Sequence, residues 1–313
     1  MKRALIVGSQ GQDGRLLSDL LAGRDYAVTG LSRQRVCLPD GGQAPPVDVA
    51  DPLAVAEVVR ETKPDEIYYL AAFHHSSQQS EANDIPSIWA ASMAVNASGP
   101  VNFLEAARRH VPGVRFFYAG SCLAYGSPGE TPQTEETCLR PTCVYGISKA
   151  AGTHAVRLYR EKHGLFAVTG ILYNHESHLR PEHFLSRKIV RAAWRIKRGE
   201  TAELQLGDLS ARVDWGYAPD FVEAFWAALQ VDTPDDYVVA TGKLRGVRDW
   251  LDAAFTLAGL DWQNYVRENP NLVARGTRPL VGDATRIRER CGWTPATEFK
   301  RMVEFMFEHE GWR

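Results

Sequence analysis

Short apolar strands alternate with amphipathic helices along the first 170 residues, and this alternation restricts the fold more than any other feature. Residues 4–7 read as a buried strand, and residues 12–21 place four leucines on one helical face. Further strands are predicted at 26–31, 66–70, 115–118 and 166–172, and long helices at 87–109 and 144–163. Asp51 and Pro52 are typical of a helix start. Repeated strand–helix–strand units predict an α/β fold with a parallel sheet.

A glycine-rich turn, GSQGQDG from Gly8 to Gly14, joins the first strand to the first helix. Glycine lets the backbone turn tightly and approach a pyrophosphate, which the positive end of the following helix attracts. The alternative is an ordinary strand–helix turn, but the place of the string after the first strand favours a dinucleotide site. We therefore expect a Rossmann-type doubly wound parallel sheet in which residues 1–173 bind a dinucleotide.

The end of the second predicted strand distinguishes NAD from NADP. An acidic residue there would bind the ribose 2′-hydroxyl of NAD, but residues 30–35 read GLSRQR and contain no acid. Arg33 and Arg35 suit a 2′-phosphate, because one guanidinium can donate two hydrogen bonds to it. The alternative is that both arginines are solvated loop charges. We expect NADP as the cofactor.

Tyr145 and Lys149 stand four residues apart at the start of the helix predicted at 144–163, so their side chains share one face. A nearby ammonium lowers the pKa of a phenol, which can then exchange a proton with a sugar hydroxyl or carbonyl. Ser121 follows the strand at 115–118 and could hydrogen-bond the same oxygen. The YxxxK spacing alone is common on helix surfaces, but together with Ser121 and the glycine turn it predicts a catalytic group.

The composition excludes several classes of function. A net charge of −2 favours neither nucleic acid nor an anionic membrane as a partner, and no apolar run approaches the ~18 residues of a membrane span. The five cysteines form no CxxC pair, and the nine histidines show no HxxxH or HExxH spacing. We therefore expect neither a disulfide framework nor a metal site. The odd cysteine count favours a reducing compartment, and a cytoplasmic protein is expected.

The second part of the chain follows a looser pattern. Beyond residue 175 we predict helices at 184–198, 220–230 and 247–258 and strands at 203–206 and 237–240. Residues 174–313 are therefore expected to form mainly a smaller α/β substrate lobe, with segments returning to the main sheet and a cleft between the lobes.

Several motifs make the chain resemble the extended short-chain dehydrogenases/reductases, and within them the GDP-mannose 4,6-dehydratases, along nearly its whole length. They are GQDG at 11–14, GILYNHES at 170–177, RKI at 187–189, DWGYAPD at 214–220, DDYVVATG at 235–242 and CGWTP at 291–295. The resemblance implies hydride exchange at C4 of a nucleotide sugar, with Ser121, Tyr145 and Lys149 as catalytic residues. The implied cofactor-binding residues are Gly8, Gln10, Gly11, Gln12, Asp13, Gly14, Arg33, Asp48, Val49, Leu70, Ala71, Ala72, Tyr145 and Lys149. The implied substrate-binding residues are His74, Leu123, Asn174, Lys188, Arg212 and Arg275.

Three departures from the family pattern bear on the reaction and the assembly. Leu123 stands where the dehydratases carry the glutamate that acts as base and acid in the C5/C6 elimination, and leucine cannot move a proton. Val213 replaces the family's diphosphate-binding arginine before DWG, although Arg212 is adjacent. The segment between Arg35 and Asp48 is shorter than the loop that helps to assemble the family's tetramer, so a homodimer is expected.

Other side chains near the predicted site are candidates for a replacement proton carrier. His74 and His75 follow the strand at 66–70, and histidine titrates near neutrality; the alternative is a pair that shapes the substrate pocket or faces solvent. Glu176 is a further candidate, although the family keeps it too. Cys122 and Cys143 flank the site and are interpreted as small apolar fillers.

The chain is therefore predicted to be an NADP-dependent oxidoreductase that reduces a 4-keto or 4-keto-6-deoxy GDP-hexose or heptose for surface-polysaccharide sugars. The alternative is a 4,6-dehydratase in which another residue replaces the missing base. A third hypothesis is a non-catalytic NADP-binding sensor or structural partner, which the presence of Ser121, Tyr145 and Lys149 disfavours.

Overall fold

The computed structural model of the protein describes residues 1–33, 46–74, 84–269, 272 and 279–311, and the backbone of 36–37 and 43–44. Arg35, His75 and Arg275 lie outside the described residues. The strands are β1 Arg3–Val7, β2 Ala27–Leu31, β3 Val36–Cys37, β4 Gln43–Ala44, β5 Glu66–Tyr69, β6 Arg115–Ala119, β7 Phe166–Leu172, β8 Asn174–Glu176, β9 Leu204–Leu206, β10 Arg212–Tyr217, β11 Asp236–Val239, β12 Leu244–Gly246 and β13 Val266–Glu268. The helices are α1 Gln12–Ala22, α2 Pro52–Thr62, α3 Ile85–Met93, α4 Gly99–His110, α5 Val144–His163, α6 Leu185–Lys197, α7 Ala218–Ala228, α8 Val247–Ala258, α9 Thr285–Cys291 and α10 Phe299–Glu308. A π-helical turn covers Ala94–Ser98, and 3₁₀ turns cover Cys122–Ala124 and Trp262–Asn264.

The main sheet has six parallel strands in the order β2-β1-β5-β6-β7-β11. The chain passes outward from β1 to β2 and then returns to β5 on the other side of β1. In open α/β sheets, ligands bind in the crevice at the carboxyl ends of the strands where the order reverses in this way. The predicted Rossmann-type fold is confirmed, and the reversal lies directly beside the glycine-rich turn.

Helices cover both faces of this sheet, which explains why its strands are continuously apolar. Tyr69 points to one face and packs edge-on against Phe103 of α4, with ring centres 5.6 Å apart. Its neighbour Tyr68 points to the other face, where Phe117 stacks on Phe225 of α7 at 4.7 Å. Each face therefore has its own fully buried core.

The chain beyond residue 173 contributes to both parts of the molecule. Strand β11 pairs with β7 in the main sheet, and α7 packs on the same core as α1. The remaining elements, chiefly α6, α8 and α10, enclose a separate core around the fully buried Trp250. Residues after 173 therefore form this separate core and also return β11, α7 and α9 to the main sheet.

A small sheet in the order β12-β10-β8 supports this second lobe. Strand β8 runs parallel to β10, with Asn174 opposite Trp215, and β12 runs antiparallel, with Arg245 opposite Val213. Sequence patterns did not predict these strands. Three residues in β8 and in β12 are too few to show a period of two, whereas the alternation in β10, RVDWGY, was a signal that could have located it.

The helical stretch predicted at 87–109 is confirmed, but a π-helical turn at Ala94–Ser98 divides it into α3 and α4. Pro100 explains the interruption, because it has no N–H to bond a carbonyl of the preceding turn. The carbonyls of Val95 and Asn96 instead accept hydrogen bonds from the hydroxyls of Tyr69 and Tyr118, each at 2.6 Å. These two side-chain hydrogen bonds therefore tie the helix to the sheet at the point where backbone hydrogen bonds within the helix are missing.

Candidate active site

The turn between β1 and α1 brings its backbone against the chain that leaves β5. Gly8 has a φ of 94°, and a Cβ there would lie 2.7 Å from the backbone nitrogen of Ala71. A Cβ on Gly14 would lie 2.4 Å from the carbonyl oxygen of Gly8. Neither position can hold a side chain without displacing backbone, so the amino end of α1 stays open at the strand-order reversal. This cradle fits the pyrophosphate of a dinucleotide.

The predicted cofactor residues outside this turn border the same edge of the sheet. Leu70 donates its N–H to the carbonyl of Val7 at 2.9 Å, which places 70–72 beside the glycine-rich turn. Arg33 lies two residues beyond β2 with an exposed side chain. Asp48 and Val49 follow Val47, whose N–H bonds the carbonyl of Ser32 at 3.1 Å, so they lie near Arg33. Gln10 and Ala72 are exposed, and Gly11 caps α1.

Tyr145 and Lys149 lie in the first turns of α5, beside the loop that follows β6. Lys149 is fully buried and its Nζ donates to the carbonyl of Ala119 at 2.7 Å, 5.7 Å from the centre of the Tyr145 ring. Burial lowers the pKa of Lys149 to about 7. Ser121 begins the 3₁₀ turn that packs on Gly146, and its Oγ accepts the N–H of Leu123 at 3.2 Å. The fold thus gathers all three predicted catalytic residues.

Asn96, which the sequence analysis did not single out, holds this region together from the π-helical turn. Its Nδ2 donates to the carbonyl of Phe73 and to Oγ of Ser148, and its Oδ1 accepts the N–H of Phe73, each at 3.0 Å. The side chain therefore fixes the loop after β5 against α5. A proline at position 100 inside a predicted helix was the signal that could have located it, since π-helical turns are common at functional sites.

His74 packs against the predicted catalytic tyrosine. Its ring meets that of Tyr145 edge-on at 4.9 Å and lies 5.5 Å from that of Phe184. Asn96 bonds both the N–H and the carbonyl of Phe73, the residue before His74. These bonds fix the backbone and so position His74 beside Tyr145. The structure thus places His74 at the site.

Leu123 occupies the position where the resemblance places a carboxylate. Its side chain is half-buried and packs against an apolar cluster that includes Cys122 and Tyr173. Cys143, the other cysteine near the site, caps α5, and its Sγ accepts the N–H of Gly146 at 3.4 Å. Both cysteines therefore have packing and capping contacts.

Glu176 is bound on both sides by neighbours and does not face the cleft as an open carboxylate. The side chain is buried, and its Oε2 accepts the Oγ of Ser186 at 2.6 Å and the Nε of Arg180 at 3.1 Å. The guanidinium of Arg180 lies over the ring of Phe184 at 4.2 Å. Burial lowers the pKa of Arg180, but the Glu176 and Asp13 carboxylates outweigh it and the pKa is raised.

A buried ion pair connects the glycine-rich turn to β8. Nε2 of His175 lies 3.0 Å from Oδ2 of Asp13, and its Nδ1 lies 2.7 Å from the carbonyl of Tyr173. Both ring nitrogens therefore face acceptors, which favours the doubly protonated imidazolium. Burial lowers the pKa of His175, but Asp13 outweighs it and the pKa is raised. Gln12 adds a second link, donating to the His175 carbonyl at 3.1 Å and accepting the hydroxyl of Ser177 at 2.8 Å.

The predicted substrate residues of the second lobe differ in how they are placed. Asn174 is half-buried on β8. Lys188 donates its Nζ to the carbonyl of Gln205 at 2.8 Å, and burial lowers its pKa. Arg212 is exposed at the start of β10, and strand alternation directs it away from the face that carries Val213. Arg212 therefore does not occupy the place of the missing arginine.

Two classes of feature are absent from the part of the chain that the structure describes. No group of three or more His, Cys, Asp or Glu side chains there is placed to hold a metal ion. No helix there is long and apolar enough to cross a membrane.

The sequence and the structure were compared with those of known proteins. The family model for GDP-mannose 4,6 dehydratase matches residues 5–306. GDP-mannose 4,6 dehydratase 2 of Arabidopsis thaliana is 39% identical, covering 99% of this chain and 87% of its own. RMD of Pseudomonas aeruginosa complexed with NADPH has a TM-score of 0.83 at 21% identity, covering 98% of each chain. UDP-glucose 4-epimerase of Thermotoga maritima with UDP-glucose has a TM-score of 0.85 at 20% identity, covering 99% and 98%. A Rossmann sheet with the glycine cradle, the Tyr145–Lys149 pair and a match along almost the entire chain show that this protein belongs to the GDP-mannose 4,6-dehydratase family.

Proposed function

We propose that the protein is an NADP-dependent oxidoreductase that transfers hydride at C4 of a GDP-linked sugar and does not eliminate water from C5 and C6. The observation that carries the proposal is Leu123, a half-buried apolar side chain at the position of the elimination base. Glu176, the carboxylate of β8, is occupied by Ser186 and Arg180. Without an acid/base at C5, hydride transfer is the part of the family reaction that remains. The most consistent substrate is an already oxidised 4-keto or 4-keto-6-deoxy hexose or heptose.

Each side chain of the site has a separate role in this reaction. When bound, NADP(H) supplies or accepts the hydride. Tyr145 exchanges a proton with the oxygen at C4, and Ser121 hydrogen-bonds the same oxygen. Lys149, whose pKa is lowered to about 7 by burial, gains or loses a proton close to neutral pH beside the phenol. Its hydrogen bond to Ala119 keeps the ammonium at a fixed distance from Tyr145.

The choice of NADP rests on the charge at the end of β2. Arg33 is exposed two residues beyond the strand, and no acidic residue stands between Gly30 and Arg33 to bind a ribose 2′-hydroxyl. A guanidinium matches the 2′-phosphate in shape and charge.

The nucleotide and the assembly complete the proposal. The GDP moiety is supported by the names of the relatives, which are GDP-mannose dehydratases at up to 39% identity.

A homodimer is supported by two exposed apolar side chains, Trp89 of α3 and Leu158 of α5. They are 43% and 50% exposed, on helices that contact each other. A reducing, cytoplasmic location stays a prediction.

A 4,6-dehydratase is the second candidate, and one observation favours it. The ring of His74 lies edge-on to that of Tyr145 at 4.9 Å, so an imidazole is available beside the proton-transferring phenol. Histidine can act as base and then acid near neutral pH. In this case the chain would share the activity named for its relatives in spite of Leu123.

Incubation with NADP and GDP-mannose in D₂O separates the two candidates. We expect no 6-deoxy product and no deuterium at C5 by NMR, whereas NADPH should reduce a GDP-4-keto-6-deoxy sugar. Leu123→Glu should gain some elimination, and Leu123→Gln, similar in size but unable to ionise, is its matched control. Deuterium at C5 with a 6-deoxy product in the wild type, lost in His74→Asn, would instead establish the dehydratase.

A further inference from the structure

We propose that Arg245 binds the phosphate groups of the nucleotide-linked substrate, an inference that rests on the substrate class proposed above. Arg245 lies on β12, outside the motifs that the sequence analysis singled out. Its assignment comes from the register of the small sheet and from the charges around it.

The register places Arg245 on the face of this sheet that carries Val213 and Asn174, at the edge of the core around Trp250. Arg245 pairs with Val213 across the antiparallel strands, and directly opposed side chains share a face. Trp215, two residues along β10 from Val213, lies on that face too, and its partner on β8 is Asn174. Arg245 and Asn174 therefore share one face, separated by β10. Strand spacing and rise put their Cα atoms roughly 12 Å apart.

The guanidinium of Arg245 has no partner that neutralises it among the residues that the structure describes. Its Nε is buried without a hydrogen-bond acceptor, and its Cζ lies 5.4 Å from the centre of the Phe299 ring. The acids closest in sequence to Arg245 and to Phe299 have other partners: Asp249 accepts the N–H of Gly246 at 2.6 Å, and Glu298 pairs with Lys243 at 3.0 Å. A buried donor without an acceptor is uncommon in folded proteins, so an anionic ligand is expected to supply one.

Other basic side chains of the second lobe fit this role less well. Arg187 pairs with Glu310, and Lys188 donates to a backbone carbonyl. Arg212 is exposed on the opposite face of β10. Arg245 therefore combines an unneutralised guanidinium with the face that carries Asn174. A planar guanidinium can bind two oxygens of a diphosphate at once, which a lysine cannot do.

Calorimetric titration of the NADP-saturated enzyme with GDP and with guanosine tests the assignment. Arg245→Ala should weaken GDP binding by about 10- to 100-fold, since hydrogen bonds between charged groups are lost. The affinity for guanosine, which has no phosphate, should not change. Arg245→Lys should recover part of the loss because it restores the charge without the paired donors.

Arg301→Ala is the matched control, because Arg301 lies over the ring of Phe305 on α10 as Arg245 lies over that of Phe299. It should leave GDP affinity within about twofold. Unchanged GDP binding in Arg245→Ala, with the wild type binding GDP, would overturn this assignment alone, as would an equal loss for guanosine. A loss confined to Arg212→Ala would assign the phosphates to that residue. A wild type that binds no GDP would overturn the proposed substrate class together with Arg245.

Discussion

Replacing Asp13 with asparagine tests the ion pair that joins the glycine-rich turn to the second lobe. Asp13 lies 3.0 Å from Nε2 of His175, and its side chain is 21% exposed while that of His175 is 8% exposed. Asparagine keeps the shape and an acceptor oxygen for the imidazole but removes the negative charge. The variant therefore measures the electrostatic contribution of the pair rather than the loss of a contact.

The size of the effect follows from the pKa of Asp13. Burial raises this pKa, but His175 outweighs burial and lowers it from 3.8 to about 2. A change of one pKa unit corresponds to roughly 1.4 kcal/mol, so the ionised form is stabilised in the folded state by about 2 kcal/mol. This contribution is complete above about pH 4 and is lost as the pH falls towards 2. The pKa of His175 is raised above 6.5, so its contribution is complete below pH 6.5 and is lost at higher pH.

Urea unfolding followed by tryptophan fluorescence at pH 5.5 and pH 9 is the assay. We expect Asp13→Asn to lower the free energy of unfolding by about 2 kcal/mol at pH 5.5 and by less at pH 9, because His175 loses its proton as the pH rises. Asp19→Asn, an exposed acid on the same helix, is the control and should change it by no more than about 0.5 kcal/mol. An equal loss at both pH values would refute the charged pair, because a neutral hydrogen bond would explain it equally well.

Three further changes test the cofactor and catalytic residues. Tyr145→Phe should lower turnover by about 10²–10⁴-fold with NADP affinity unchanged, and near-normal turnover would place the proton transfer elsewhere. Arg33→Ala should cost about 1.5–3 kcal/mol of NADP binding and leave NAD unaffected, as titration of both cofactors would show. Gly14→Ala should destabilise the fold by about 1–3 kcal/mol and abolish cofactor binding, because its Cβ would lie 2.4 Å from a backbone oxygen. Gly129→Ala, with open space at its Cβ, is the control, and equal melting temperatures of the two variants would contradict the argument.

The parts of the fold that could be predicted from the sequence are those encoded by local patterns. Strand Phe166–Leu172 and helix Val144–His163 have the predicted bounds, and Asp51 caps its helix as expected, accepting the N–H of Leu53 at 2.9 Å. Each of these features depends on residues within one helical turn or one strand. The glycine cradle is equally local, since its constraint is the crowding of backbone around Gly8.

The contacts that the sequence did not reveal join residues far apart in the chain. His175 and Asp13 are separated by 162 positions, and Asn96 and Ser148 by 52. No periodicity links such pairs, and each partner has an ordinary local environment of its own. The burial that perturbs the pKa of Lys149 is likewise a property of the assembled core. Local sequence patterns can therefore propose the residue types of a site, but not the contacts that orient them.

The continuity of β7 and β8 joins the main sheet to the small sheet. Only Tyr173 separates the end of β7, in the main sheet, from β8, in the small sheet. Its N–H bonds the carbonyl of Val239 at 3.0 Å and its hydroxyl bonds Gln133 at 2.9 Å, so the junction itself is held. His175 then ties β8 back to Asp13 in the glycine-rich turn. A change at this junction should therefore alter the positions of the sugar and the nicotinamide relative to each other, and so affect turnover more than the affinity for either one.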